Sequence, residues 1–338
     1  MRSILYLLLS SIVLGNKSFA QEDNTPSKKS REGEAIVFYI ENDSRNIGGP
    51  GSDRAYSNGF KLSYIYAEDR IPRYSNIPLE VFNFINRNLA GSKTNFGISL
   101  GHQIYTPVLT AETKLIPDDR PYAAWAYIGL AASFQKENSA QFFELDVGMV
   151  GPSALGKEVQ NNFHNLIGVA EAQGWANTLH DEPTLQLNYQ KRFQFYQSKN
   201  LDFIPYYGAG FGNVLIGLHS GGLVRLGVNL QDDYGPTRPS ASDGDSFVLP
   251  TAKADKLSYY IYGGVRGNLI ARNIFLDGNT FKSSHKVKKY PFNSETEFGL
   301  GLQVSPFVAV WRFVTRSPEF EERSRVNSFA SLNISYLF

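Results

Sequence analysis

The chain's last nine residues set the strongest constraint on its fold. Ala330, Leu332, Ile334, Tyr336 and Phe338 alternate with Ser331, Asn333 and Ser335, so an extended strand here presents one apolar face and one small polar face. Similar period-2 segments recur along the sequence: 35–41, 59–67, 95–105, 122–135, 140–150, 184–195, 203–213, 222–230, 257–267, 272–277, 297–313 and 327–338. That makes about twelve strands with no Pro/Ser/Gly linker between them. An apolar face repeated on every strand needs hydrocarbon on the outside, and an even number of antiparallel strands can close so that no edge is left unpaired. The expected fold is all-β: a transmembrane antiparallel up-and-down β-barrel spanning residues 35–338, with both ends of the chain on one side.

The N-terminus agrees with export. Residues 1–20 hold two basic residues, Arg2 before and Lys17 after an apolar run from Ile4 to Leu14, and Ser18-Phe19-Ala20 before Gln21, the form of a secretory signal peptide. The run is shorter than the roughly 20 residues of a spanning helix. Residues 21–34 are polar and charged and read as a flexible leader. The absence of cysteine excludes a disulfide scaffold and thiolate metal sites. A net charge of +1 argues against a nucleic-acid binder, which would carry a basic stripe.

If the first strand runs outward, the connections after odd strands are extracellular: 42–58, 106–121 and 151–183 among the longer ones. The unusual polar clusters of the sequence fall there, whereas the second half is expected to have short outer connections near Ile216, Leu269 and Ser317. The third loop carries a helical pattern. Ser153 is a candidate N-cap, Leu155, Val159, Phe163, Leu166 and Ile167 recur at helical spacing, and Gly168 stands where a C-cap belongs. This apolar stripe is expected to cover the outer rim of the wall. His164, with Glu171 seven residues on, has the makings of a general base and the carboxylate that orients it. On the residues alone, the first reading of His164 is a helix-packing histidine. In the first loop Asn42, Asp43 and Ser57 meet across a tight pairing. Their oxygens suit a hard cation such as Ca²⁺, or simply a solvated loop with Asx turns around Gly48-Gly49-Pro50-Gly51. Tyr105, Tyr122, Trp125 and Trp175 suit an interfacial aromatic belt.

Several ordered motifs carry a family resemblance. Glu41-Asn42-Asp43, Asp53-Arg54-x-Tyr56-Ser57-Asn58-Gly59, Gln103-Ile104-Tyr105-Thr106-Pro107 and Asp118-Asp119-Arg120-Pro121-Tyr122-Ala123-x-Trp125 occur in sequence. They are followed by Val150-Gly151-Pro152-Ser153-Ala154-x-Gly156-x-x-Val159-Gln160-Asn161 running to His164, then Ile167-Gly168, Glu171, Gly174-Trp175 and Glu182-Pro183. In order and spacing, from about Val37 to Arg192, the set resembles the lipid A deacylase family of outer membranes, with weaker similarity such as Phe275-Leu276-Asp277-Gly278 beyond.

The resemblance implies a twelve-stranded outer-membrane barrel that hydrolyses the 3′-acyloxyacyl ester of lipid A in the outer leaflet with Ca²⁺ as cofactor. It implies His164 as catalytic base, Glu171 as its carboxylate partner, and Asn42, Asp43 and Ser57 as the polar positions near the metal. Lys114 and Arg120 become candidates for the lipid phosphates or the oxyanion. Where the family places a basic pair in loop two, this chain has Thr113-Lys114. The implied partner is lipopolysaccharide, met by a single membrane-embedded chain. Two other classes stay open: an outer-membrane phospholipase using Ser57 or Ser153 as nucleophile, and a pore or passive structural barrel.

Overall fold

A computed structural model describes residues 33–43, 55–85, 89, 91–238, 256–321 and 326–338. The signal-peptide segment, nearly all of the leader, Gly48 to Gly51 and the Asp53-Arg54 pair lie outside these residues. Neighbouring strands pair in chain order: β1 (Ala35–Asn42), β2 (Ala55–Tyr66), β3 (Lys93–Thr106), β4 (Ala123–Lys136), β5 (Ser139–Val150), β6 (Glu182–Phe193), a two-residue β7 (Tyr196–Gln197), β8 (Leu201–Gly212), β9 (Leu215–Val228), β10 (Ser258–Asn273), β11 (Phe292–Val304), β12 (Phe307–Arg316) and β13 (Asn327–Leu337). β1 also pairs antiparallel with β13 and β6 with β8, so the twelve long strands close into a barrel. Among the described residues no helix is long and apolar enough to cross a membrane.

Strand alternation sorts the wall into two faces. Leu100, Ile128, Val147 and Leu185 are each more than half exposed on the outer face, whereas Gln186, Asn188, Gln190 and Arg192 of β6 are buried inside. The terminal strand behaves as its sequence pattern requires, with Ile334 and Tyr336 outward and Ser331 and Ser335 buried. Ala35 lies opposite Leu337, and the Glu34 carbonyl accepts from the Phe338 backbone N–H at 3.0 Å. The start of β1 and the end of β13 therefore share one rim, here the near rim, and Glu34 already belongs to the barrel.

Two strand assignments are corrected. The segment 272–277 is not a strand: it is the end of β10 followed by the one-turn helix α3 (Ile274–Asp277), whose Phe275 N–H donates to Asn273 Oδ1 at 3.0 Å. The run 297–313 is two strands, β11 and β12, joined at Ser305-Pro306. The two errors cancel in the strand total. They also displace the outer loops: Leu269 sits inside β10, and the far-rim connection there, 274–291, is long.

That connection folds inward. The Phe275 ring stacks on Tyr105 at 4.0 Å and, with Trp125, Val314 and Phe329, makes an apolar layer inside the far rim. From the near rim, the segment after β9 rises through the lumen. Arg192 donates from Nη1 to the carbonyls of Tyr234 (3.0 Å) and Pro236 (2.9 Å). Further up, Arg238 Nη1 donates to Glu295 Oε2 at 2.7 Å and its Nε lies 3.5 Å from Glu41. Paired charges and aromatic rings thus fill the lumen.

Candidate active site

The polar residues of interest begin with a departure from alternation. β1 and β2 pair in register from Ala35↔Ile65 to Asn42↔Asn58, so Asn42 and Asn58 share the outward parity of Ile36, Phe38, Ile40 and Phe60. Ser57 is the extra residue of a bulge between Tyr56 and Asn58, which turns it aside from the ladder. His102, Ile104 and Thr106 of β3 are likewise outward yet buried. Polar groups facing hydrocarbon without partners are costly. Here a helix covers them.

α2 (Gly156–Ile167) lies against the outer wall at the far rim. Gly156 allows its close approach: a Cβ there would stand 2.4 Å from Ala124 Cβ and 2.5 Å from the Trp175 ring. The helix ends at Gly168 with φ 74°, as expected of a C-cap. At the other end the expectation fails. Leu155, with φ 58°, precedes the first helical residue, and Ser153 is instead held by Asp181, its N–H to Oδ1 and its hydroxyl to Oδ2, both 2.8 Å.

The buried face of α2 is polar: Gln160, Asn161 and His164. They staple the helix to the strap 170–175. Gln160 Oε1 accepts from Trp175 Nε1 at 2.9 Å, and Asn161 Oδ1 accepts from the Ala172 N–H at 3.1 Å while its amide donates to the Ala172 carbonyl at 3.4 Å. His164 Nδ1 is 2.7 Å from the Ala170 carbonyl. The apolar stripe therefore does not seal the rim as expected. Leu155 and Leu166 point away from the protein, and only Val159, Phe163 and Ile167 line a cavity against the wall.

This cavity, about 260 Å³, is walled on the barrel side by Phe38, Ile40, Phe60 and Ile104, and its polar groups include Asn42, Ser57, Gln160 and His164. It opens on the lipid-facing side of the barrel, not into the lumen. Asn42 Nδ2 donates to the Ser57 carbonyl at 3.2 Å, and the Ser57 hydroxyl hydrogen-bonds the Thr106 hydroxyl. An apolar slot with a few convergent polar groups is the usual form of a small-molecule or lipid site.

The sequence matches the family described as outer membrane protein LpxR over residues 5–338. The chain belongs to the LpxR family. Among solved structures, LpxR from Salmonella typhimurium aligns with a TM-score of 0.71 at 20% identity, over 90% of this chain and 100% of that one. The β-domain of the Bordetella autotransporter BrkA (TM-score 0.43, 9% identity, 91% and 100% covered) and the translocator domain of NalP from Neisseria meningitidis (0.42, 9%, 90% and 89%) are more distant. Comparison with curated proteins finds no match.

In this LpxR-family barrel the structure gathers some of the expected residues and separates others. Asn42, Ser57 and His164 line one cavity. Asp43 is buried next to it, its N–H donating to the Ser57 carbonyl at 3.3 Å, but it does not line the cavity. The Nδ1 contact of His164 goes to the Ala170 carbonyl, whereas the exposed Glu171 accepts from Asn165 Nδ2 at 2.8 Å. Lys114 is exposed on loop two, outside the cavity. Arg120, expected as a contact for phosphate or oxyanion, is buried inside the far rim, paired with Glu319 at 2.8 Å, with its guanidinium over the Tyr105 and Phe320 rings. The supposed belt is also corrected, since Tyr105, Tyr122, Trp125 and Trp175 are all buried.

The oxygens of Asp43, Asn42 and Ser57 are hard donors of the class that holds Ca²⁺. Among the described residues no group of three or more His, Asp or Glu is placed to hold a metal. With one carboxylate and neutral oxygens, water would have to complete the coordination of such a cation. Thr106, Gln160 and the Ala170 carbonyl were not singled out from sequence. For Thr106 the signal was a polar side chain at a position where the alternation of β3 demands an apolar one; Gln160, on a helix, and a backbone carbonyl carry no such signal.

Proposed function

We propose that this protein hydrolyses the 3′-acyloxyacyl ester of lipid A in the outer leaflet, with the far rim facing the cell exterior. The observation that carries the reading is the position of the His164 cavity: between α2 and the wall, open to the hydrocarbon layer, with polar groups and aliphatic lining side by side. Acyl chains would enter along Phe38, Phe60 and Phe163 without leaving the membrane, while the glucosamine phosphates stay at the rim.

The Ala170 carbonyl accepts a hydrogen bond from Nδ1–H, so the neutral tautomer keeps its lone pair on Nε2. Nε2 takes a proton from water, the water oxygen bonds to the ester carbonyl carbon, and the proton passes to the leaving sugar-acyl oxygen as the ester bond breaks. Asp43, with Asn42 and Ser57, would hold Ca²⁺, which when bound supplies polarisation of the ester carbonyl. Glu171 fixes the strap through Asn165 and thereby the carbonyl that orients His164.

The serine-nucleophile reading is less well supported, because Ser153 lies with Asp181 and the Ser57 hydroxyl is engaged by Thr106. The pore reading is opposed by the filled lumen. The test is fatty-acid release from lipid A by purified protein with chelator and with restored Ca²⁺. Activity lost in chelator and regained with Ca²⁺ is expected, whereas unchanged release after exhaustive chelation rejects the metal.

A further inference from the structure

A second helix lies on the outer wall and takes no part in the cavity. α1 (Asn76–Ile85) sits in the near-rim connection between β2 and β3. Its Phe82 is fully buried, stacked on Phe143 at 5.1 Å and packed with Phe96 and Phe134. These three phenylalanines have the outward parity of Leu100, Ile128 and Val147 on β3, β4 and β5, so α1 packs on the membrane side of the barrel.

The helix then presents a new apolar surface of its own. Phe84 is 79% exposed and Val81 44%. Beside it, Tyr74 packs edge-on against Phe96, and its hydroxyl meets that of Tyr66 at 3.0 Å. Arg73 and Lys93, at the two ends of the connection, are exposed. The same rim carries exposed Phe195, Tyr196, Phe307 and Tyr336, the aromatic girdle of a barrel at its lipid headgroups.

We propose that α1 is an interfacial helix that binds the phospholipid leaflet on the chain-end side. Phe84 and Val81 enter the boundary between acyl chains and headgroups, and Arg73 and Lys93 lie at the level of the phosphates. Phospholipid is the occupant because the exposed face continues the lipid-facing belt, with Arg73 and Lys93 at phosphate level beside the exposed Glu68 and Asp69 of the same connection. Glu80, one turn before Phe84, is exposed and marks where this face returns to water. α1 also has a counterpart. It covers β3 at Phe96 and α2 covers it at Ile104, eight residues away, or roughly 26 Å of strand. At a strand tilt of about 35–45° this is roughly 20 Å of height, most of the ~25 Å apolar band of an outer membrane. The two helices thus bracket the same strip of wall, and α1 fixes the depth at which the α2 cavity meets the membrane. The proposal does not depend on the cavity's chemistry.

The test uses the absence of cysteine. Phe84→Cys, Val81→Cys and, in the polar turn between β4 and β5, Asn138→Cys each give one site for a nitroxide label. Each protein is reconstituted in phosphatidylethanolamine/phosphatidylglycerol vesicles, with folding checked by heat-modifiable gel mobility. Power saturation should show oxygen collisions several-fold above those of a water-soluble nickel chelate at 84 and 81, at a depth of about 5–10 Å, and the reverse at 138. Chelate collisions dominating at 84 would place α1 in water and overturn the proposal. Exclusion of both reagents at 84 would overturn it too, since the face would then be covered by protein.

Discussion

His164 and Gly156 carry the site at the scale of single residues. Replacing His164 with Ala should lower deacylation by ~10²–10⁴-fold, the usual contribution of a general base, while the barrel keeps its gel mobility. Ser57→Ala should give an intermediate loss, because it removes a polar group of the cavity but no covalent step. Ser153→Ala should leave turnover unchanged, since that side chain faces Asp181. Trapping an acyl-enzyme on Ser57 would reverse this order. Arg120→Ala separates two roles. A buried cation removed from Glu319 should cost ~3–5 kcal/mol of stability, towards the lower figure because Arg316 also reaches Glu319 at 3.3 Å. A raised KM in a protein of unchanged stability would instead restore Arg120 as a phosphate contact. An arginine beside a motif and an arginine locked inside a barrel look alike in sequence. That Asn42 and Ser57 would stand together was legible because a tight pairing of the first two strands brings them side by side, and His164 stood out at the edge of a helical stripe.

Element by element, α2 is held less by its apolar stripe than by hydrogen bonds to the strap. Each is worth about 0.5–1.5 kcal/mol net. Asn161→Ala removes two of them, both to Ala172, and should speed amide exchange at 170–173 while exchange in β3 and β4 stays slow. Equal acceleration in the strands would mean that the helix is part of the global unfolding unit. Gly156→Ala should lift α2 from Ala124 and abolish activity without changing gel mobility; retained activity would show that the helix can shift. The strands show what periodicity can and cannot resolve. Most of the strands were readable, but 272–277 was read as a strand that is not there, and the β11–β12 turn was hidden inside one apolar run. The clue was a parity switch: large side chains fall on even positions at Phe298, Leu300 and Leu302 and on odd ones at Phe307, Trp311 and Phe313. The stripe of α2 was legible as a helix but not in its orientation, because its polar face found partners in the strap, leaving Leu155 and Leu166 exposed and Val159, Phe163 and Ile167 on the cavity.

For the whole molecule, closure by twelve strands leaves room for a conducting lumen, and this one is filled. Phe275 closes it from the far rim, and the segment from Tyr234 to Arg238 rises from the near rim. Purified protein in planar bilayers should therefore show no stepwise conductance, and stable channels from the intact chain would reject that reading. The plug was not visible in sequence, since it is a loop whose arginine finds its carboxylates only after the barrel has closed. The central claim is that a membrane-facing cavity around His164 removes an acyl group from lipid A. The most direct measurement is mass spectrometry of lipid A from cells lacking the protein, producing it, or producing His164→Ala at equal level. The account predicts loss of the mass of the 3′-acyloxyacyl group only with the unaltered protein. Unchanged lipid A in cells that produce the folded protein, or equal loss with His164→Ala, would contradict it.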